Sequence, residues 1–472
     1  MAYASSDHDP HSLLFTFKQN QQSQCVGITD HHQPEYAADR LSAKDKRRYV
    51  VFADGLASSY EAFLDTARRD EKTIVDDVSP APLNVDPGLQ FYLQRLAEAL
   101  PNPQAFGQHP KMWPVVARAT ELWRQGEKVV VFCHFRRTGQ ALVRHLSAAV
   151  ERELWDALAR RTGRSAEEAR EAAIRFGDRF DPDAPMGRYL TEATDQLLKA
   201  GEVPVAERGR LVDVVRRFVR SSVFVGRYFN PFADSSEGLL ADALATADGS
   251  GLSLEQRLRG FVEFYCSRDE SERDRYLNAL ERVQPGLRGE HPPDADNQSG
   301  GLLLPNIRLA NGETLQDARQ RLMLSFNTPF YPDILVASSV LAEGVDLHLN
   351  CRFALHHDLS WNPSDIEQRT GRIDRIGCKA EKVSRPVEVY MPFVAETQDE
   401  KQFRVVMDRE RWFQVLMGAE YRLDEVEDAT IEEMARRIPL PPAVARELAF
   451  ALEVSGDGVG GGSGRPTGEW SC

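Results

Sequence analysis

Apolar positions along the chain change rhythm several times, and each change predicts an element. After Lys128 comes an unbroken apolar run, Val129-Val130-Val131-Phe132-Cys133, short and β-branched, as in a strand buried on both faces of a parallel sheet. A helix should follow from Thr138 through Leu142, Leu146 and Val150, where apolar residues return at helical spacing. Upstream, 93–97 begins a helical stretch, and Val116, Ala119 and Leu122 share a stripe between Trp113 and Trp123. Downstream, roughly 150 residues rich in Arg, Ala, Glu and Leu carry helical patterns at Leu154/Leu158, Leu197/Leu198 and Leu211/Val215/Phe218 and read as a helical insertion. The Gly/Pro/Asp-rich stretch 290–301 closes it as a mobile loop.

A βα rhythm then resumes, with a helix near 315–326, strands at 333–338 and 352–357, a helix at 364–376 and a strand at 387–391. Strands alternating with helices predict an α/β fold, a parallel sheet flanked by helices. In 399–418, Phe403, Val406, Met407, Phe413, Leu416 and Met417 recur at helical spacing and suggest a C-terminal helical brace packed back on the sheet domain. The Gly-rich tail 456–472 should be disordered; its GxGxxG match has no strand before it or helix after it and is read as chance.

Composition narrows the class. The 472 residues are 28% charged and 42% apolar, those of a soluble globular protein. No long apolar run or secretory leader pattern occurs, so the expected compartment is the cytoplasm, without membrane contact. Six scattered cysteines without a CxxC pair support neither a zinc ribbon nor a disulfide framework, and no metal site is expected. With 58 basic against 72 acidic residues the net charge is -14, so any nucleic-acid contact must be local.

The segment from Trp361 to Gly377, WNPSDIEQRTGRIDRIG, carries the strongest chemical signal. Ser364 and Glu367 are spaced as a capping box and Gly377 as a stop, which predicts a helix of about three turns. On it Gln368, Arg372 and Arg375 would share one face, with Ile366, Ile373 and Ile376 turned toward a core. Two guanidiniums on one stripe suit an anion, because they stay charged and bind phosphate oxygens bidentately. Gly371 would admit close approach to the backbone. Solvated surface arginines are the ordinary alternative, but the neighbouring segments 334–347 and 356–363 favour a site, since each is a buried strand leaving into a polar loop.

Taken in order, these segments resemble the second RecA-like lobe of superfamily 2 helicases and translocases, nearest to the Swi/Snf type that includes the bacterial RNA-polymerase-associated helicase. The resemblance covers roughly 85–150 and 314–420, with 128–135 similar to motif IV, 338–347 to motif V and 368–375 to motif VI (QxxGRxxR). It implies that Arg372 and Arg375 are arginine fingers on ATP, with Gln368 beside them. Gly344, Asp346 and Gly371 would lie at the nucleotide, and Ser338, Ser339, Phe135 and Arg136 along the nucleic acid. DNA is the favoured track, with RNA left open.

Two parts of such an engine are missing from the sequence: a GxxxxGK[ST] loop and an acidic DExx box after a strand. Residues 55–63 resemble only the segment that joins the two lobes. ATP would then be shared with a separate P-loop lobe or subunit that also holds Mg²⁺, and the chain alone should be inactive. A non-catalytic interaction module and a fragment of a longer helicase are the alternatives. The expected division is an interlobe remnant (1–84), a first part of the lobe (85–150), the insertion (151–313), a second part of the lobe (314–395), the brace (396–455) and the tail.

Two further patterns stand apart from these motifs. Between Arg208 and Arg227 six arginines meet a single acid, Asp213, with Phe218, Phe224, Tyr228 and Phe229 interleaved. That suits a nucleic-acid groove, but an amphipathic helix with solvated arginines is favoured. Of the adjacent His356 and His357, one is expected in the core and one facing a cleft, because successive strand residues point to opposite faces.

Overall fold

In a computed structural model the chain is described over residues 54–63, 109–233, 237–283, 306–311, 314–338, 346–395 and 397–416. The helix expected at 93–97, the loop 290–301 and the tail lie outside them.

The lobe is a five-stranded parallel sheet in the order β2-β3-β1-β4-β5. Its strands are β1 (Lys128–Phe132), β2 (Ile307–Ala310), β3 (Ile334–Ala337), β4 (Cys351–His356) and β5 (Glu388–Tyr390). Central β1 is buried at every position, as its apolar run requires, and aligns Phe132 with both Ala337 and His356. Strand β2 was not legible: it is four residues long, only its ends are buried, and it falls inside the stretch 151–313 assigned to the insertion. An edge strand needs only one neighbour, so its apolar pattern is weak.

Alternate strand residues feed two cores. Val129, Val131, Ile334, Val336, Phe353 and Leu355 join the larger one, shared with α1 (Met112–Arg124), α2 (Arg136–Thr162) and the insertion. Val130, Phe132, Leu335, Ala337 and Ala354 face the other, where α10 (Gln316–Phe326) packs together with Leu347 and Ile373. The motif-bearing segments are therefore held against the sheet by the apolar residues beside them.

Helix α2 joins lobe and insertion. The helix expected at 138–150 and the Leu154/Leu158 pattern are one continuous 27-residue helix, ended by Gly163 in the left-handed conformation (φ 68°). Leu142, Leu146 and Val150 serve the sheet, and Leu154, Trp155 and Leu158 extend the same buried stripe into the insertion. The insertion itself is helical: α3 (Ala166–Phe176), α4 (Pro185–Ala200), α5 (Val205–Val219), α6 (Ser222–Tyr228), α7 (Glu237–Ala245), α8 (Leu254–Cys266) and α9 (Glu270–Val283). Reciprocal capping boxes, Ser165 with Glu168 and Ser253 with Gln256, start α3 and α8.

Past β4 the chain forms α11 (Pro363–Thr370), α12 (Lys379–Val383), β5 and the brace α13 (Gln398–Leu416). On the brace, Val406 packs with Leu359 and Ile366, Gln402 Nε2 donates to the Leu359 carbonyl at 3.0 Å, and buried Asp399 pairs with Lys111 at 2.7 Å.

Candidate nucleotide and nucleic-acid site

Helix α11 is shorter than its sequence pattern. Its N-cap is Asn362, whose side chain accepts the Ser364 N–H at 3.3 Å, with Pro363 in the first turn; the Ser364/Glu367 capping box does not form. Proline's fixed φ suits the first helical position, so the cap moves back to the residue before it. The helix stops at Thr370, and 371–377 continues as tight turns, with Ile373 N–H on the Thr370 carbonyl at 2.9 Å. Gln368 alone of the three stripe residues is helical, whereas Arg372 and Arg375 are presented by the turn. Ile373 is fully buried as expected, but Ile376 is 97% exposed and faces no core.

A tertiary contact explains the early stop. The Arg372 carbonyl accepts the N–H of Leu347 at 2.8 Å instead of continuing a helical ladder, and the His348 carbonyl accepts the N–H of Lys379 at 2.9 Å. These bonds place the segments at 346–348 and 371–379 side by side. The Arg375 guanidinium forms an ion pair with the Asp346 carboxylate, and its Nε donates to the Gly371 carbonyl at 3.1 Å. At 40% and 48% exposure such a pair is worth only about 0–1 kcal/mol, so a phosphate could compete for the guanidinium. Gly344 and Ser339 lie outside the described residues.

Ser338 and Phe135 leave neighbouring strands at the C-terminal edge of the sheet. The Ser338 N–H donates to the Ala310 carbonyl at 3.0 Å, and its buried hydroxyl has no hydrogen-bond partner among the described residues. Phe135 is the N-cap of α2 without a side-chain cap bond; its half-buried ring meets His134 edge-on at 5.3 Å, and half-buried Arg136 follows. The first turn of this long helix thus lies at the edge where open α/β sheets bind ligands.

Several residues that sequence reasoning passed over organise the same edge. Buried Arg369 donates to the Asp358 carbonyl at 3.2 Å and lies over the Phe132 ring at 5.8 Å, so this third arginine of the motif run is a core residue. The Asp358 carboxylate accepts the His134 N–H at 2.7 Å. Burial acts to raise its pKa, but the neighbouring His357 and Lys111, with hydrogen bonds from His134 and Ser58, hold it below the ordinary carboxylate range. Neither histidine of the pair faces a cleft, because both are fully buried. His356 stacks on Phe132 at 5.3 Å with its pKa pushed down to about 3 by burial and by Arg369, and His357 Nε2 donates to the Ser58 carbonyl at 2.8 Å.

That last bond seats segment 54–63 on the lobe. The hydroxyls of Ser58 and Ser59 meet Thr138 Oγ1 at 2.7 and 2.9 Å, and His109 Nε2 donates to the Leu56 carbonyl at 2.8 Å. Two adjacent serines are an ordinary surface pattern, so only the fold reveals this clamp.

The six insertion arginines are used internally. Arg210 bridges Glu281, Asp274 and Asn278; Arg216 pairs with Asp213; Arg220 pairs with Asp181 at 3.0 Å. Arg208, Arg217 and Arg227 donate to the carbonyls of Val203, Glu281 and Trp123. Phe218, Phe224 and Phe229 are buried in the larger core. The amphipathic packing holds, with Leu211, Val215 and Phe218 buried, but the arginines are engaged by protein groups and not solvated as expected.

Among the described residues, no group of three or more His, Cys, Asp or Glu side chains could hold a metal ion, and no helix is long and apolar enough to cross a membrane.

Comparison with known proteins finds similarity over the part of the chain that carries β2, β3, β4 and the arginine turn. The helicase conserved C-terminal domain matches residues 303–377. An uncharacterized ATP-dependent helicase of Bacillus subtilis, YqhH, is 30% identical over 121 residues, 25% of this chain and 21% of that protein. The RNA polymerase-associated protein RapA of Vibrio cholerae is 31% identical over 121 residues, 26% of this chain and 11% of that protein. No solved structure shows a significant match. The similarity thus spans about a fifth or less of the length of these relatives.

Proposed function

We propose that the chain carries the C-terminal RecA-like lobe of a superfamily 2 helicase and serves as the arginine-finger half of an ATP-driven DNA translocase or helicase, a reading supported by the similarity of residues 303–377 to the helicase C-terminal domain. The observation that carries this reading is the joining of two motif segments at one place: Leu347 bonded to Arg372, and Asp346 paired with Arg375, which also bonds the Gly371 carbonyl. ATP bound on a P-loop lobe would present its γ-phosphate to Arg372 and Arg375. Their fixed charge would stabilise the negative charge that develops on the transferred phosphoryl group. Mg²⁺ would be held by carboxylates of that other lobe.

Nucleic acid would run along the C-terminal edge of the sheet, contacted by Ser338, Ser339, Phe135 and Arg136. Contacts of this kind read phosphates and not bases, so binding would be sequence-independent and salt-sensitive. The net charge of -14 makes a local contact the only kind available.

The deciding experiment is phosphate release from ATP by the purified chain, with and without duplex DNA, and again after addition of a P-loop lobe from a related helicase. The expected result is no turnover alone and DNA-stimulated turnover in the mixture. Turnover by the chain alone that is lost in Arg372→Ala would overturn the half-engine reading.

A further inference from the structure

A buried ionic cluster ties the insertion to the turn that carries the two arginines. Lys379 Nζ donates to Glu127 Oε2 at 2.6 Å and to Asp248 Oδ2 at 3.1 Å; the side chains of Glu127 and Asp248 are fully buried, and that of Lys379 is 5% exposed. Glu127 precedes β1 and is also held by Arg352 of β4 at 3.3 Å. Asp248 belongs to the insertion, in the loop between α7 and α8.

The loop is seated on the lobe as well as charged toward it. Gly249 N–H donates to the Gln125 carbonyl at 2.5 Å, and Arg385 Nη1 donates to the Gly249 carbonyl at 2.7 Å. Gly126 has φ +89°, and a Cβ there would lie 2.7 Å from the Asp248 Cβ, so the close approach requires glycine. Asp248 Oδ1 accepts the N–H groups of Ser250 at 2.9 Å and Leu252 at 3.1 Å, which points Oδ2 at Lys379.

Lys379 also takes part in the main-chain bonding around the arginines. Its N–H is bonded to the His348 carbonyl, next to the bond from Leu347 N–H to the Arg372 carbonyl, and Cys378 N–H bonds the Arg375 carbonyl at 2.9 Å. Asp248, Lys379 and the turn at 371–378 are therefore one connected piece of structure.

We infer that the insertion is a positioning element for the arginine-bearing turn, acting through Asp248 on Lys379. Breaking a buried charge contact from one side leaves the remaining partners free to shift, and Lys379 has Glu127 to follow when Asp248 is neutralised. The turn would then open more often while the sheet stays closed. The importance of this for turnover rests on the arginine-finger reading above, but the coupling is a property of the chain by itself and is measured without ATP or a second lobe.

The test is amide hydrogen exchange of the intact chain and of Asp248→Asn. Exchange in 371–379 should quicken by about 2- to 30-fold, the range such coupling spans, while β1 and β3 exchange as in the wild type. Faster exchange confined to 246–257, with 371–379 unchanged, would overturn the inference. If Asp248→Asn loosens the whole sheet, Ser250→Ala decides the matter, because it removes only the 2.5 Å hydroxyl bond to Asp248 Oδ1. A smaller shift of the same segment then supports the coupling, and wild-type exchange at 371–379 beside a faster 246–253 rejects it.

Discussion

The Leu347 amide and the Arg372 carbonyl are 2.8 Å apart in a hydrogen bond that joins two segments separated in sequence by a strand and a helix. It interrupts the helical ladder after Thr370 and turns Arg372 and Arg375 out of the helix that their spacing implies. The segment is anchored on both sides of this bond, with Leu347 and Ile373 fully buried against the same face of the sheet. A turn held this way can present charge in a fixed place, which a solvated helix face does not do.

If Arg372 and Arg375 stabilise a transition state, their loss should affect rate and spare binding. In a reconstituted two-lobe enzyme, Arg372→Ala or Arg375→Ala should lower turnover by about 10³-fold or more, with nucleotide affinity nearly unchanged. Arg375→Lys should restore little, because a point charge lacks the bidentate fork. Steady-state turnover beside equilibrium titration of a fluorescent ATP analogue checks this; equal turnover in mutant and wild type sinks the finger assignment.

Arg210 should matter for the insertion and not for nucleic acid. Its guanidinium is occupied by Glu281 at 2.8 Å and by Asn278 at 3.1 Å, at partly exposed positions. Arg210→Ala should leave duplex affinity within about twofold across a salt series and cost roughly 1 kcal/mol of stability or less. Fluorescence anisotropy and urea melts measure the two quantities. A clear drop in affinity and in salt slope would return this helix to the nucleic-acid surface.

Acid should destabilise the lobe through its buried histidines. Burial pushes His109 down to about 4, and burial with Arg369 pushes His356 down to about 3. Both lie below the unfolded value near 6.5, so the unfolded chain takes up protons first. The stability is complete above about pH 6.5 and is lost as pH falls toward 4 and 3, each site contributing about 2 kcal/mol by pH 5. Urea midpoints at pH 7, 6 and 5 should fall steadily, and His356→Gln should flatten the slope. A pH-independent midpoint over that window contradicts the assignment.

Trp155 tests the unity of lobe and insertion. It is buried on α2 beyond the sheet and touches the position of Gly226, where an added Cβ would come within 2.9 Å of its ring. Trp155→Ala should cost about 3–5 kcal/mol. Because its core is continuous with that of the sheet, unfolding should remain one transition by both tryptophan fluorescence and circular dichroism. Two separated transitions would show that the insertion is an independent unit.

Strands β1, β3 and β4, helix α1, the insertion helices α4 and α5 and the motif order could be read directly from the chain, because continuous apolar runs and helical stripes are local properties that burial on a sheet demands. Strand β2 could not, since a half-exposed edge strand carries little pattern of its own. The end of α11 was equally hidden: Arg372 and Arg375 keep helical spacing in the sequence, and only a bond to Leu347, distant along the chain, ends the helix before them. The same holds for the six arginines from 208 to 227 and for His356 and His357. Arginines spaced along a helix look alike whether phosphates or the carboxylates of α9 await them, and a histidine looks alike whether a cleft or a carbonyl does. Local chemistry set which elements form and which groups carry charge; which partner each charge meets was decided by packing, because partners come together only when distant segments share a core.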